Sequence, residues 1–187
     1  EEINRIVSDQ VSRWLFAPTQ GAVDNLAREG FPASAVHLVG DVMYDVTRLF
    51  SENKAHQTQI AARLGLSPGG YAVATLHRQE NTDDPVRLRE IISALANLAL
   101  DMPVVLPLHP RTAKMAAAQP ELAPLLGQLV VTEPLGFFDM ASLLAGAAVA
   151  VTDSGGLQKE AYFHRVPCVT VRDETECGRL PHGLHDT

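Results

Sequence analysis

The organisation of the chain follows from the segment Thr152–Ala161, which has the sequence TDSGGLQKEA. The apolar run Ala147–Val151 precedes it and contains the small and β-branched residues typical of a buried strand. After the two glycines the apolar residues recur at helical spacing. The first N–H groups of a helix lack intrahelical partners, and the helix dipole makes this end partly positive. The segment is therefore predicted to bind an anion such as a phosphate, with Asp153 and Ser154 as candidate helix caps.

Glu160 extends this prediction from a phosphate to a nucleotide. It lies on the same predicted helix as Ser154 and less than two turns beyond it, at a rise of about 1.5 Å per residue. A carboxylate at that distance can accept hydrogen bonds from the two hydroxyls of a ribose, as acidic residues do in dinucleotide-binding folds. An ordinary capped strand–turn–helix would contain the same glycines, so the carboxylate is the residue that favours a nucleotide site.

The composition excludes several classes of partner. The 187 residues carry a formal net charge of −7, so the chain lacks the basic surface that nucleic acid requires. The longest apolar stretch, residues 141–152, is too short to span a bilayer, and no membrane partner is expected. Cys168 lies in an apolar run and Cys177 in a polar tail, which fits a reduced, cytoplasmic protein better than a disulfide framework.

Strand and helix patterns alternate along most of the chain. A helical stripe over residues 3–14 is followed by the apolar run Leu15–Ala17, a helix that Thr19 caps and Gly30 ends, a strand at residues 36–39 and a long helix from Val42 to Leu64. After Gly69 and Gly70, five strands alternate with four helices. The strands are Tyr71–Leu76, Val104–Leu108, Leu129–Thr132, Val149–Thr152 and Cys168–Val171, and the helices are Pro85–Leu100, Arg111–Ala118, Phe138–Ala145 and Gly155–His164. Such alternation predicts an α/β fold with a Rossmann-like, doubly wound parallel sheet.

Polar clusters follow three further strands, at residues 77–81, 109–111 and 172–174. Open parallel sheets bind ligands at the carboxyl ends of their strands, although a single polar cluster there also fits an ordinary loop. Together with the serine–glycine turn, the clusters favour a site whose histidines and arginines bind a diphosphate. His77 and His109 lack a third ligand at metal spacing, and neither a Walker loop nor a Gly-x-Ser-x-Gly elbow is present. We therefore expect no metal and no cofactor.

These motifs, in this order, resemble the non-hydrolysing UDP-N-acetylglucosamine 2-epimerase family. The matching segments are Glu1–Arg5, Ala17–Thr19, Val39–Asp45, Leu76–Thr82, Leu108–Arg111, Thr152–Tyr162 and Arg172–Glu176. Within that family, the segments GDVMYD and RDETE are most similar to the branch that acts on modified UDP-sugars such as UDP-diacetamido-glucuronic acid.

The resemblance implies a two-domain, glycosyltransferase-B-like fold of which this chain is the C-terminal half. Residues 1–41 would be a remnant of the N-terminal Rossmann domain, residues 42–69 a linker helix region and residues 70–176 the UDP-binding Rossmann domain. Residues 177–187 would be an atypical tail. A homodimer, and a second, regulatory UDP-sugar as in bacterial members, are also implied for the full-length protein.

The implied activity is inversion of C2 of a UDP-N-acetylhexosamine, through elimination of UDP to a 2-acetamidoglucal and its re-addition. Glu1 and His77 would be catalytic. The residues implied to bind the UDP-sugar are Arg78, His109, Arg111, Ser154, Gly155, Gly156, Glu160 and Arg172.

The match to the family is incomplete at both ends of the chain. The family's first Rossmann domain, with further catalytic carboxylates, is expected before Glu1, and an arginine that binds phosphate in some members would fall on Cys177. The chain alone is therefore expected to be inactive. Two alternatives stay open at the level of sequence: a UDP-sugar glycosyltransferase or hydrolysing 2-epimerase with the same nucleotide domain, and a UDP-binding fragment without catalysis.

Overall fold

The computed structural model describes residues 2–53 and 57–172. The chain divides into two compact units, residues 1–48 and residues 49–187. The domain boundaries expected from the sequence, near residues 41, 69 and 176, stay predictions. Three parts of the sequence lie outside the described residues: Glu1, residues 173–176 of the Arg-Asp-Glu-Thr-Glu motif, and the tail with Cys177.

The smaller unit contains two parallel strands and the helices that accompany them. Its elements are α1 (Glu2–Val11), β1 (Leu15–Ala17), α2 (Gln20–Arg28), a 3-10 turn (Ala33–Ala35) and β2 (Val36–Leu38). Leu15 pairs with Val36, and Leu15 and Ala17 pack against Leu26 of α2. Thr19 caps α2 as predicted, because its hydroxyl accepts a hydrogen bond from Ala22 N. Gly30 follows the helix with φ of +91°, a conformation that glycine adopts without strain.

The helical region that follows is interrupted, so the prediction of one helix from Val42 to Leu64 is wrong. Helix α3 spans Val42–Glu52, and helix α4 spans only Ile60–Arg63. Residues 57–59 between them are not helical. The backbone N–H of Thr58 donates instead to the hydroxyl of Ser142, at 2.9 Å. This hydrogen bond, to a residue distant in sequence, replaces the one that a continuous helix would have made.

The larger unit is built on a five-stranded parallel sheet, which confirms the predicted α/β class. The strands are β3 (Ala72–Thr75), β4 (Val104–Pro107), β5 (Val130–Thr132), β6 (Val149–Thr152) and β7 (Cys168–Thr170). The remaining helices are α5 (Gln79–Thr82), α6 (Pro85–Leu98), α7 (Pro110–Ala117), α8 (Ala123–Leu126), α9 (Phe137–Ala145) and α10 (Gly155–Phe163), and a 3-10 turn spans Pro120–Leu122. No helix in the described part of the chain is long and apolar enough to cross a membrane.

Both faces of the sheet are covered, as the near-continuous apolar strands require. Ala72 and Ala74 of β3 pack on one face, in a core with Leu88 and Ile92 of α6. Val73, between them in sequence, packs on the other face with Leu143 of α9. Successive side chains of a strand point to opposite faces, so β3 contributes to both cores. The sheet is doubly wound.

The strand order β5-β4-β3-β6-β7 places the functional region. From β3 the chain first extends the sheet outward through β4 and β5, then returns to add β6 and β7 on the other side of β3. The direction of growth therefore reverses between β3 and β6. Thr75 pairs with Thr152 at the ends of these strands, so the loops after them separate around a crevice. Such reversal points are where open α/β sheets bind ligands.

We predict that Gly146→Ala destabilises the larger unit. A Cβ at Gly146 would lie 2.7 Å from the hydroxyl oxygen of Tyr71, which is fully buried and donates to Leu143 O at 2.7 Å. The rigid ring has no space to move, so the loss in unfolding free energy should be about 1–3 kcal/mol. Chemical denaturation measures it. Gly136→Ala is the matched control, because a Cβ there meets nothing within 4 Å. Equal stabilities of the two variants would contradict this packing.

Candidate functional site

A cavity of about 360 Å³ opens at the carboxyl ends of β3, β4, β5 and β6. One part of its lining is polar and the other is apolar. The polar side chains are those of Thr75, His77, His109, Ser154 and Glu160, with the backbone of Gly156 beside them, and the apolar residues are Leu76, Pro107, Pro134, Leu135, Phe137, Met140 and Leu157. The structure thus brings together five of the residues that the sequence predicted as site residues. It places them at the crevice where the sheet reverses.

The N-terminus of α10 forms one end of the cavity. Ser154 caps the helix, since its hydroxyl accepts a hydrogen bond from Leu157 N at 3.3 Å. The backbone N–H of Ser154 donates to the Thr152 hydroxyl, which fixes the turn between strand and helix. A Cβ placed on Gly155 would lie 3.7 Å from Nη1 of Arg172, so this guanidinium lies against the first turn of the helix. Dipole and guanidinium together make this end of the cavity attractive to anions.

Asp153 has a role other than the helix cap predicted from the sequence. Its carboxylate is completely buried and accepts hydrogen bonds from the backbone N–H groups of His77 and Arg78, at 3.0 and 2.9 Å. Nδ2 of Asn81 donates to it at 3.0 Å, and Nδ1 of His77 lies 3.1 Å from Oδ1. Burial favours the neutral acid, but these hydrogen bonds outweigh burial and lower the pKa of Asp153. A buried negative charge therefore lies directly behind His77.

The two histidines of the cavity have opposite hydrogen-bonding roles at Nε2. Nδ1 of His77 donates to Asp153, so in the neutral ring Nε2 is the acceptor. Nδ1 of His109 accepts the backbone N–H of Arg111 at 3.2 Å and caps α7, so its Nε2 carries the hydrogen. The ring centroids are 6.3 Å apart. One neutral imidazole can thus accept a proton or hydrogen bond while its neighbour donates one.

Glu160 is the acidic residue of the cavity lining. It lies on α10, beyond the turn formed by Ser154 and Gly156. Burial raises the pKa of Glu160, because the surrounding protein replaces water that would solvate its charge. The structure therefore holds a partly desolvated carboxyl group near the predicted phosphate site, where a polar ligand can provide the hydrogen bonds that water does not.

Two predicted site residues are located elsewhere, and a third lies outside the described part of the chain. The backbone of Arg78 supports Asp153, but its side chain is not among the cavity lining. Arg111 forms an exposed ion pair with Asp83, with Nη2 and Oδ2 2.5 Å apart, and does not line the cavity. Glu1 lies outside the described residues. The roles assigned to all of these residues stay predictions.

The sequence reasoning missed two parts of the site. The first is the apolar wall formed by Leu135, Phe137 and Met140. Its signal was present in the sequence, because an apolar loop follows the β5 pattern at the same edge of the sheet. The second is the group of hydrogen bonds around Asp153 and Asn81. No spacing pattern in the sequence predicts these hydrogen bonds, because Asn81 and Asp153 are 72 positions apart.

The family model described as UDP-N-acetylglucosamine 2-epimerase matches residues 1–180. The chain belongs to this family. The resemblance inferred from the sequence motifs is thereby confirmed, and with it the assignment to a family of UDP-sugar 2-epimerases.

Members of the epimerase family with curated descriptions match nearly all of this chain. It is 48% identical to the UDP-2,3-diacetamido-2,3-dideoxy-D-glucuronate 2-epimerase of Pseudomonas aeruginosa, over 94% of this chain and 48% of that protein. It is 35% identical to the UDP-N-acetylglucosamine 2-epimerase of Methanocaldococcus jannaschii, over 94% of this chain and 50% of that protein. The chain thus spans about half the length of these curated relatives. The higher identity to the first supports the predicted similarity to the modified-sugar branch.

Solved epimerase structures share the fold. The M. jannaschii UDP-GlcNAc 2-epimerase in complex with UDP-GlcNAc and UDP superimposes with a TM-score of 0.83 at 35% identity, covering 95% of this chain and 50% of that one. The Neisseria meningitidis UDP-GlcNAc 2-epimerase bound to UDP-GlcNAc superimposes with a TM-score of 0.78 at 28% identity, covering 95% of this chain and 49% of that one. The match to half of each structure agrees with the expected half of a glycosyltransferase-B-like fold.

We predict that Glu160→Gln stabilises the ligand-free chain at neutral pH. A carboxyl whose pKa is raised by folding is neutral in both states at low pH, so it has no effect there. Stability is lost as the pH rises above the unfolded value of about 4.3, through the higher pKa of the folded state. The amide removes this loss. The thermal midpoint of the variant should exceed that of the wild type at pH 7, and the two should converge at about pH 3.5.

The control for this prediction is Glu90→Gln, at an exposed position on α6. Its midpoint should follow that of the wild type at both pH values. A Glu160→Gln variant that is no more stable than wild type at pH 7 would show that the carboxyl is well solvated, contrary to the observed burial.

Proposed function

We propose that this chain forms the UDP-binding half of an epimerase that inverts C2 of a UDP-2-acetamido sugar. The observation that carries the proposal is the cavity at the sheet reversal, where a capped helix N-terminus, two histidines and a buried carboxyl group meet an apolar wall. A phosphate-bearing ligand with a planar base matches this distribution of polarity. Family membership and similarity to structures with bound UDP-GlcNAc support it.

The diphosphate would bind at the N-terminus of α10. Its oxygens can accept hydrogen bonds from the N–H groups of the first turn, where Gly155 and Gly156 allow the backbone to approach closely. The Ser154 hydroxyl and the Arg172 guanidinium add donors at the same end. The predicted UDP-binding role of these four residues is thus supported by one shared location.

The nucleoside would extend along the cavity from the diphosphate. Glu160 lies six residues beyond Ser154, about 9 Å along the helix axis, which is a suitable distance for the ribose hydroxyls. Hydrogen bonds from these hydroxyls would compensate the carboxylate for its lost hydration. The uracil ring would then pack against the wall of Leu135, Phe137 and Met140.

His77 is proposed as a catalytic residue of the elimination step. In the reaction a base removes the proton from C2 of the sugar while the C1–O bond breaks, which yields a 2-acetamidoglucal and UDP. The diphosphate gains negative charge as that bond breaks. The hydrogen bond to Asp153 orients the imidazole of His77 at the cavity, where its protonated form would stabilise the leaving diphosphate. Re-addition of UDP and of a proton on the opposite face of C2 completes the epimerisation, so no oxidant or cofactor is needed.

Further components are proposed for the whole protein from the family resemblance. Glu1 matches a carboxylate of the acid–base set, and the remaining carboxylates would come from the preceding Rossmann domain. His109, Arg78 and Arg111 are proposed to contact the sugar or a second, regulatory UDP-sugar. The full-length protein is proposed to be a homodimer. The similarity to the P. aeruginosa relative favours a diacetamido-glucuronic acid sugar as substrate over UDP-GlcNAc.

We predict that Gly156→Val weakens UDP binding at least about tenfold, because a branched side chain at the helix start keeps the phosphate away from the backbone N–H groups. Isothermal titration calorimetry with UDP measures the loss. Gly127→Val is the matched control. Gly127 lies between α8 and β5, on the side of the sheet where the strands begin, away from the cavity at their carboxyl ends. Unchanged UDP affinity in Gly156→Val would remove the diphosphate from this location.

The epimerase activity itself is tested by exchange of the C2 proton. The chain alone should bind UDP without catalysis, because proton transfer on both faces of C2 needs several positioned acid–base groups. A chimera with the preceding half of the P. aeruginosa relative should incorporate deuterium at C2 of UDP-diacetamido-glucuronic acid in heavy water, detected by mass spectrometry.

Two outcomes would contradict this assignment. Exchange by the chain alone would refute its dependence on a second half. Absence of exchange by the folded chimera with any UDP-2-acetamido sugar, or release of free sugar and UDP as the only products, would refute reversible epimerisation.

A further inference from the structure

The side chain of Asn81 is completely buried and makes hydrogen bonds to three other residues. Nδ2 donates to Oδ2 of Asp153 at 3.0 Å and to the backbone oxygen of Val171 at 2.9 Å. Oδ1 accepts a hydrogen bond from Nε of Arg87 at 2.7 Å. Asn81, Arg87, Asp153 and Val171 together form the Asn81 bridge. None of the chemistry proposed above uses Asn81 or Arg87 directly.

The bridge can have only one amide orientation. An ionised carboxylate and a carbonyl oxygen only accept hydrogen bonds, whereas a guanidinium only donates them. If the amide of Asn81 were rotated by half a turn, its oxygen would face Asp153 and Val171, and its NH₂ group would face Arg87. All three contacts would then be repulsive. Arg87, at the first turns of α6, therefore fixes the direction in which the two donors of Asn81 point.

The two acceptors of Asn81 are connected to two different groups of the proposed diphosphate site. Asp153 supports His77, which follows β3, whereas Val171 precedes Arg172, which follows β7. β3 and β7 are not neighbours, because β6 lies between them. The backbone N–H of Val171 donates to Thr152 O at 2.9 Å, so this residue is held to β6 on one side and to the Asn81 bridge on the other.

We propose that Asn81, oriented by Arg87, is a positioning residue that sets the distance between His77 and Arg172 across the N-terminus of α10. A diphosphate needs both groups at fixed positions, since misplacement of a donor by about 1 Å already costs much of its contribution. The single amide of Asn81 connects the segment that carries His77 with the segment that carries Arg172. The ligand-binding part of this inference rests on the proposed UDP site, whereas the structural connection does not.

The connection is tested first without ligand, by NMR of the full chain. The side-chain signals of His77 and of the Arg172 Nε–H group are assigned from the variants His77→Gln and Arg172→Lys. Arg87→Met, at a half-buried position, keeps the length of the side chain but removes the donor to Asn81. It should shift both signals. Arg89→Met is the matched control, the same change at an exposed position two residues along α6, and should shift neither.

The consequence for binding is tested with UDP and with uridine. Arg87→Met should weaken UDP binding roughly tenfold, the effect of one lost charge-assisted hydrogen bond, and leave uridine binding unchanged. Asn81→Leu, which removes the donors and the acceptor at constant shape, should weaken UDP at least as much. If Asn81→Leu does not fold, the UDP and uridine affinities of Arg87→Met alone test the positioning role. A general structural defect would weaken UDP and uridine by the same factor.

The results separate this inference from the proposed function. If Arg87→Met leaves either the His77 or the Arg172 signal unchanged, or weakens uridine as much as UDP, the positioning role is refuted. If both signals move but the wild-type chain does not bind UDP, the proposed UDP site is refuted and the connection between the two residues stands. Shifts of both signals with selective loss of UDP affinity support both.

Discussion

The candidate site depends on one buried charge, the carboxylate of Asp153. An ionised group without water is costly to bury, and it persists only where donors surround it. Here two backbone N–H groups, an amide and an imidazole provide them. Satisfying this single group fixes the loop after β3, the ring of His77 and the position of Asn81. The positions of these cavity residues thus depend on the hydrogen bonds that Asp153 requires, although Asp153 itself need not contact a ligand.

The parallel sheet makes this arrangement accessible. Register pairs Thr75 with Thr152, so the chain leaves both strands at the same level and residues 77 and 153 meet immediately beyond. Apolar packing on both faces holds the strands in that register. The helix start at Ser154 and the histidine cap of α7 then supply hydrogen-bonding groups that are already oriented, which lowers the ordering cost of binding an anion.

Local patterns predicted most of this architecture, and long-range contacts account for what they missed. The strand–glycine–helix segment, the cap at Thr19 and the five strands depend on neighbouring residues, and the structure has them within one or two residues of their predicted ends. The helix predicted through residues 57–59 failed because Thr58 bonds to Ser142, 84 positions away. The change in role of Asp153, from helix cap to charge behind His77, depends likewise on partners in another strand loop.

The division of the cavity into a polar and an apolar part has an evolutionary consequence. The groups that favour a nucleotide diphosphate come from the ends of β3, β6 and β7, whereas the apolar wall comes from the loop after β5 and the first turns of α9. Mutations in one segment leave the hydrogen bonds of the other intact. Natural selection can therefore change the preference for the organic portion of a ligand while the anion-binding part remains constant. Such modularity allows one ancestral scaffold to diversify among chemically different sugar nucleotides while its phosphate-binding groups stay in place.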